Sequence, residues 1–481
     1  MNLDAFLEIE NRYGLLEERY DGFAYWIYFR HVLHNELEAS KAGHGDAQIR
    51  PQLSEWKHFK ARIGTLWYAL RFGRIPSGKY DVLIFNHERR MWAKGYYECA
   101  YTDLIADQYR NSVVLERPFN QKHFRPVRTK NLMYTDYIEA KSMFYYYWEQ
   151  RFAPGRMEKV RREMDRKIRK PIEEICKTYG LTYSADSILD KMVCGYYIYQ
   201  VKKREFKRLL LKINPRVILE VVGYHMDCMI INELALEQKI PTIELQHGTA
   251  GREHTAYNYP QGHKIDQFPG YFFAFSRFWM DAARFPVPRD RIREVGFPHL
   301  EKCALPVKKK MKKADPAVII FISQSAIGKL LSEIAARLND LIDKQRYEII
   351  YKLHPGEYDG WRERYQELAK SGIRVIDNKH TDLYELFAVS TYQIGAFGST
   401  ATFEGLMFDL KTFIRRAEAA PELCLLCEKG IARFFDEAED LYQLILADEE
   451  GTKANTFWKE DALETMKREI DAIVKKGGEK V

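Results

Sequence analysis

Short apolar runs recur along this chain, and most are followed by a stretch whose apolar positions repeat at helical spacing. Val82-Leu83-Ile84-Phe85 is the first convincing strand, and Val113-Val114-Leu115 is a second. From residue 217 the alternation becomes regular. A strand Val217 to Val222 precedes a helix Asp227 to Gln238, then come strands Thr242 to Leu245, Tyr271 to Phe275 and Ile292 to Val295. A second series follows: strand Val318 to Ile322, a helix with Leu330, Ile334, Leu338 and Leu341 on one face, strand Tyr347 to Leu353, helix Gly360 to Lys370 and strand Ile373 to Ile376. Helix Asp382 to Val389, strand Tyr392 to Ala396, helix Thr400 to Phe408 and strand Lys411 to Ile414 complete it. Strands buried on both faces read as unbroken apolar runs, so this pattern predicts two α/β units with parallel sheets.

Elsewhere the pattern is helical. Residues 1–80 form a helical N-terminal extension in this reading, with Phe23, Trp26, Ile27, Arg30 and His34 at helical spacing. The first α/β unit spans 81–306 and carries a basic, helix-rich insertion at about 140–212. Pro306 to Pro316 is lysine-rich and bracketed by prolines, which suits a boundary. The second unit then covers 317–455. The last helix, 456–481, has Leu463, Met466, Ile470 and Ile473 on one face and is expected to pack back onto the first unit. No internal repeat is present.

At 481 residues the chain exceeds one ordinary core, which agrees with two units. With 46% hydrophobic residues it reads as globular, and no run approaches the length needed to span a bilayer. Met1-Asn2-Leu3-Asp4 lacks the features of a secretory signal, and seven scattered cysteines suit a reducing compartment, so a cytoplasmic protein is expected. The net charge of +7 is concentrated in runs: Arg156 to Lys170, Lys202 to Arg208 and Lys308 to Lys313. Two readings stay open for them, solvated helix faces or attraction to an anionic membrane at the inner face of the cell. No nucleic-acid module accompanies them, so nucleic acid is not an expected partner.

Three segments carry the chemistry. Gln246-His247-Gly248-Thr249 and Lys352-Leu353-His354-Pro355-Gly356 each put a histidine and a glycine at the end of an apolar strand. Ligands of open α/β sheets bind outside such strand ends. The third, Gly395 to Glu404, ends a strand in small and hydroxyl residues and leads into a helix, whose free N–H groups favour an anion. There Gly398 permits close backbone approach, Ser399 and Thr400 add hydroxyl donors, and Glu404 could accept ribose hydroxyls; Ser325 lies in the loop that follows strand Val318 to Ile322. The plainer alternative is that Ser399 or Thr400 only caps the helix. His354 can hydrogen-bond a diphosphate oxygen and Lys352 shares its face if both lie on the strand, or His354 merely caps a turn. A neutral His247 could take a proton from an acceptor hydroxyl, or it too could be structural. His225, Glu88, His87, Arg252 and His254 are neighbouring candidates, and the spacing does not choose among them.

Cys424-Leu425-Leu426-Cys427 has no second pair, and no zincin spacing, Asp-x-Asp, phosphate-loop lysine or GxSxG elbow occurs. A mechanism with no metal and no cofactor is therefore expected, with diphosphate charge met by helix ends, His354 and lysines.

At these residues the chain resembles the GT-B glycosyltransferases, two Rossmann-like domains facing a cleft. More narrowly, it resembles bacterial cell-surface polymer transferases: CDP-glycerol glycerophosphotransferases, Kdo transferases and polysialyltransferases. The resemblance rests on Gln246 to Thr249, Val295-Gly296-Phe297-Pro298, His354-Pro355, Asp382 to Leu386 and Gly398 to Glu404, and covers about residues 215–415. It implies an inverting transfer from a CMP-, CDP-, UDP- or GDP-linked sugar to a glycan or lipid-linked acceptor, as in capsule or O-antigen assembly. It further implies His247 as the catalytic histidine, His354, Ser399 and Thr400 at the donor phosphates, and Glu404 at the ribose. The first unit would take the acceptor and the second the donor nucleotide. Two departures weigh against particular donors. Ala396 to Ser399 stands where the glycerophosphotransferases carry Asp-Tyr-Ser-Ser, and the acidic pair of the polysialyltransferases is missing before His354. A GT-B-like nucleotide-sugar 2-epimerase and a glycerophosphotransferase remain as alternatives.

Overall fold

The computed structural model describes residues 3–41, 64, 67, 70–71, 78–120, 122–396, 398–447 and 457–478. Much of the expected extension at 1–80, and Phe397 in the third segment, lie outside them. The chain divides into two compact units. One comprises Met1–Ala274, Ala283–Val295 and Leu463–Val481, and the other Phe275–Ala282 and Gly296–Ala462.

In the first unit the described strands are β1 (Val82–Phe85), β2 (Met91–Ala93), β3 (Tyr96–Glu98), β4 (Ser112–Glu116), β5 (Leu132–Tyr134), β6 (Val217–Glu220), β7 (Thr242–Leu245), β8 (Tyr271–Ala274) and β9 (Ile292–Glu294). All but the β2–β3 hairpin join one parallel sheet, ordered β5-β4-β1-β6-β7-β8-β9. The sheet is covered on both faces. Leu83, Phe85, Val113 and Leu115 face a helical layer from Leu3–Arg12, Tyr25–Lys41, Pro154–Tyr179 and Ala185–Ile213. Val82, Ile84, Val114 and Val217 face Met466, Ile470 and Ile473 of the Ala462–Gly478 helix. Period-two alternation sends successive strand residues to opposite apolar layers, which is why these strands carry no polar face.

The second unit holds β10 (Ala317–Ile322), β11 (Tyr347–Lys352), β12 (Arg374–Ile376), β13 (Ser390–Gly395), β14 (Lys411–Arg415) and β15 (Arg433–Phe435). Their order is β12-β11-β10-β13-β14-β15, all parallel. Both units thus start at a central strand, wind outward on one side, return, and wind outward on the other. This is the Rossmann-like order, and the reversal opens a crevice between β1 and β6 in one unit and between β10 and β13 in the other. The expected class, two Rossmann-like α/β units with helical N-terminal segments, is the one observed.

Several details differ from expectation. Strand β6 stops at Glu220 because Val222 sits at φ 62°, a left-handed conformation that a β-branched residue rarely adopts. The helix expected over Gly360 to Lys370 is two short helices, Trp361–Arg364 and Gln366–Lys370, broken at Tyr365, whose hydroxyl donates to Glu357. The lysine-rich 306–316 segment is not where the units divide. The division falls at Val295/Gly296, and Pro298–Lys308 is a helix. Gly296 is required there: its φ is 85°, and a β-carbon would lie 2.7 Å from the Lys459 carbonyl oxygen. In the basic run, Arg156, Arg161, Arg162, Arg166, Lys167 and Arg169 all pair with carboxylates, and Lys202 is buried against Glu139 and Asp227. These cations mainly bind the helical layer together. No helix of the described residues is long and apolar enough to cross a membrane.

Candidate functional site

The chain leaves β6 through Val221-Val222-Gly223-Tyr224-His225, at the crevice where the strand order reverses. Gly223 lies over two buried carboxyls, Glu220 and Glu244, paired in register across β6 and β7. A β-carbon on Gly223 would come 2.5 Å from Glu244 Oε2 and 2.8 Å from Glu220 Oε1. Any side chain there would have to displace these carboxyls, and the left-handed Val222 directs the loop. The loop places Tyr224 at the centre of a group of imidazoles. Its hydroxyl is 3.3 Å from His247 Nε2, and its ring lies 4.9 Å from that of His31, 5.9 Å from His247 and 5.3 Å from His254. His31 stacks on His254 at 4.8 Å, and His87, following β1, lies 6.0 Å from His247.

Burial sets the charge of this group. Loss of hydration lowers His247 to about 3, with His87 and His254 adding repulsion. Desolvation likewise lowers His31 to about 2 and His254 to about 4. At neutral pH these rings are uncharged, so each offers a nitrogen lone pair rather than a cation. His247 Nδ1 is buried without a hydrogen-bond partner, and Nε2 meets Tyr224. Such a ring can accept a proton, and an anionic substrate brought against it would raise its basicity.

Residues of the N-terminal segment hold the group in place. Arg30 and Glu10 form a buried bidentate pair at 2.7 Å, with Trp26 Nε1 donating to the same carboxylate. Arg30 also donates to the carbonyls of Thr255 and Asn258, pinning the loop that carries His254. His31, one residue on, approaches Thr255 Oγ1 at 3.1 Å. Sequence reading missed His31 and Tyr224, while Tyr257 lies in the polar, aromatic loop 257–259 that the sequence marks as suited to a sugar or phosphate. The signal available was the aromatic and histidine content of Tyr25 to His34, which reads as core until the fold brings it to the strand ends.

The other candidates in this unit are placed differently. His225 Nδ1 accepts the Asp227 N–H and caps the Met226–Glu237 helix. Glu88 is paired with Arg117 at 2.7 Å. Both have structural partners, whereas His247 Nδ1 has none. Arg252 is exposed.

Glu220 and Glu244 are fully buried, and each has one oxygen without a partner. Burial pushes Glu220 well up and Glu244 to about 7, although Tyr257 donates to Glu244 Oε1 at 2.7 Å. A carboxyl raised on folding costs stability as pH rises from its unfolded value of about 4.5 through its folded one. Glu244→Gln should therefore be more stable than wild type at pH 8, by roughly 3 kcal/mol, and nearly equal at pH 4.5. Urea midpoints at the two pH values check this. Below about pH 6.5 the imidazoles act oppositely: the unfolded chain takes up protons that the folded group refuses, so acid destabilises both proteins.

In the second unit the corresponding crevice is bordered by Ser323 to Ile327 after β10, His354 to Gly356 after β11 and Gly398 to Thr400 after β13. Glu357 organises it. Its buried carboxylate accepts from Ser323 Oγ (3.0 Å), the Tyr365 hydroxyl (2.5 Å) and the His354 N–H (2.8 Å). His354 Nδ1 in turn accepts the Gly356 N–H at 3.1 Å, so a ligand would meet Nε2. Gln324 Nε2 donates to the Gly398 carbonyl at 3.3 Å, spanning the crevice. Ser325, His354, Gly356, Gly398 and Thr400 are exposed here. Ser399 is buried at the N-cap, and its side chain makes no capping bond. Glu404 Oε2 accepts from Tyr384 at 2.8 Å, and burial raises its carboxyl. Lys352 is occupied, donating to the Leu353 carbonyl at 2.9 Å and to Tyr358 at 2.7 Å. Sharing a face with His354 does not free it for a phosphate.

No protein-family model matches the chain, and no curated protein matches it in sequence. Among solved structures it is similar to UDP-GlcNAc 2-epimerase from Neisseria meningitidis bound to UDP-GlcNAc, at 12% identity over 82% of this chain and 99% of that one, with a TM-score of 0.44. The epimerase from Methanocaldococcus jannaschii gives 11% identity, 81% and 99% coverage and a TM-score of 0.45. The lipopolysaccharide outer core galactosyltransferase WaaB, in its apo form, gives 11%, 81% and 99%, with a TM-score of 0.43. Likeness at this level carries neither a substrate nor a reaction over to this chain.

Proposed function

We propose that the chain is a glycosyltransferase that moves a sugar from a nucleotide-activated donor to a cell-surface glycan or lipid-linked acceptor, without a metal and with inversion. In this reading the β10/β13 crevice takes the donor nucleotide. Gly398, Ser399 and Thr400 meet the phosphates, His354 Nε2 hydrogen-bonds a diphosphate oxygen, and Glu404 accepts a ribose hydroxyl. His247 acts as the base on the acceptor hydroxyl, with Tyr224 orienting its ring. The observation that carries the reading is His247: a buried, uncharged imidazole at a strand end beside a topological switch point, with one nitrogen unpartnered and the other on Tyr224.

The first test is thermal. One of CMP, CDP, UDP or GDP at about 100 times its Kd should stabilise the protein by about 2.7 kcal/mol. His354→Ala should remove most of that shift for the same nucleotide. A panel in which no nucleotide raises the melting temperature would refute the donor assignment. Once the nucleotide is known, incubating its sugar conjugates without acceptor separates the readings by NMR: an epimer formed from donor alone assigns a 2-epimerase instead.

A further inference from the structure

The Asp136–Phe152 helix presents an unusual outer face. Phe144, Trp148 and Phe152 follow one another at i, i+4 and i+8 and are 68%, 50% and 62% exposed, with Tyr147 beside them at 39%. The three rings touch in sequence, at 6.3 Å and 4.4 Å between centroids. Isolated exposed apolar residues are ordinary, whereas a contiguous aromatic ridge marks a surface that meets something apolar.

The surrounding charge says what. Each acid on this helix has a basic side chain against it: Asp136 meets His123, Glu139 meets Lys202, and Glu149 meets Arg156. Its exposed polar residues are Lys141, Gln150 and Arg151. The Ala185–Ile213 helix packs alongside, as the Lys141–Glu205 pair at 2.7 Å and the Tyr145–Tyr197 contact record. Its outer side adds Arg204, Lys207 and Arg208, and the single carboxylate of Glu205 serves Lys141, Arg204 and Arg208 together. A groove of about 590 Å³ runs beside the Ala185–Ile213 helix, lined by Tyr145, Tyr199, Lys203, Arg204 and Lys207 and by the carboxylate residue Asp21. Aromatic rings at one level with surplus cations beside them match the interface of an anionic bilayer, where amphipathic rings sit at headgroup depth and lysine or arginine meets phosphate.

We propose that this two-helix face docks the protein on an anionic lipid bilayer, the Phe144-Trp148-Phe152 ridge entering the interface and Arg151, Arg204 and Lys207 meeting the phosphates. It rests on the surface alone and stands apart from the transferase reading. The experiment is flotation of the full chain with phosphatidylcholine vesicles, with and without about 30% phosphatidylglycerol. Wild type should float with the anionic vesicles, and raised salt should weaken the binding. Arg204→Gln/Lys207→Gln should lower the partition coefficient about 25-fold, from about fivefold per cation. Phe144→Ser/Trp148→Ser should lose binding at least as strongly, with circular dichroism and melting temperature unchanged because both side chains are exposed. Failure of wild type to float, equal binding to neutral and anionic vesicles, or either double variant binding within twofold of wild type overturns the proposal. A concentration-dependent dimer abolished by Phe144→Ser/Trp148→Ser overturns it too, by assigning the ridge to a second copy.

Discussion

His247→Ala is expected to lower turnover of the nucleotide-sugar substrate by about 10²- to 10⁴-fold, the usual contribution of a positioned general base. Donor-nucleotide affinity should stay as in wild type, because the phosphate contacts assigned above belong to the β10/β13 crevice. Tyr224→Phe removes only the hydroxyl 3.3 Å from Nε2 and leaves the ring packing against His31 and His254. It should therefore lower turnover less than His247→Ala does. A His247→Ala protein that keeps wild-type turnover, measured by product formation under saturating donor, would remove His247 from the mechanism. If turnover persists there but is lost in a His254 variant, the base is the neighbouring imidazole.

The second large effect is on stability. Arg30→Met leaves Glu10 buried at 0% exposure without its guanidinium and strips the Thr255 and Asn258 carbonyls of their donor. It also removes the cation held 4.4 Å from the Tyr259 ring. Breaking a buried pair by deleting one partner costs about 3–5 kcal/mol, because the remaining charge stays desolvated. A fall in the urea midpoint of the first unit reports it. Replacing both members, Arg30→Met with Glu10→Leu, should recover part of the loss, since no uncompensated charge then remains. The double variant should still be poorly active, because the His254 loop has lost its anchor.

These two predictions rest on different kinds of legibility. His247 could be singled out before any coordinates, because an apolar strand followed by His-Gly marks a strand end, and strand ends of parallel sheets border ligand crevices. His354 and Ser399 were legible for the same reason. Glu357 was not, although it lies three residues beyond His354, since nothing in Pro-Gly-Glu says that the carboxylate turns inward to hold Ser323, Tyr365 and the His354 N–H. His31 was invisible for another reason. Its site partners are Thr255, His254 and Tyr224, more than 190 positions away, and helical periodicity shows which face is buried without showing against what. Lys352 shows the reverse error. Its position on the strand was read correctly, but its ammonium is held by Tyr358 and a carbonyl.

The sequence alone determined the class of fold, because unbroken apolar strands alternating with amphipathic helices are stable only as parallel sheets covered on both faces. It also marked the strand ends to within two residues, and so a first set of histidines and hydroxyls beside them. Tertiary structure alone decided strand order, and with it the positions of the two crevices, because order follows from how distant elements share a core. It also decided protonation. An imidazole becomes uncharged, or a carboxyl holds its proton, according to the water removed around it and the charges brought near it, and both are set by residues far away in the chain.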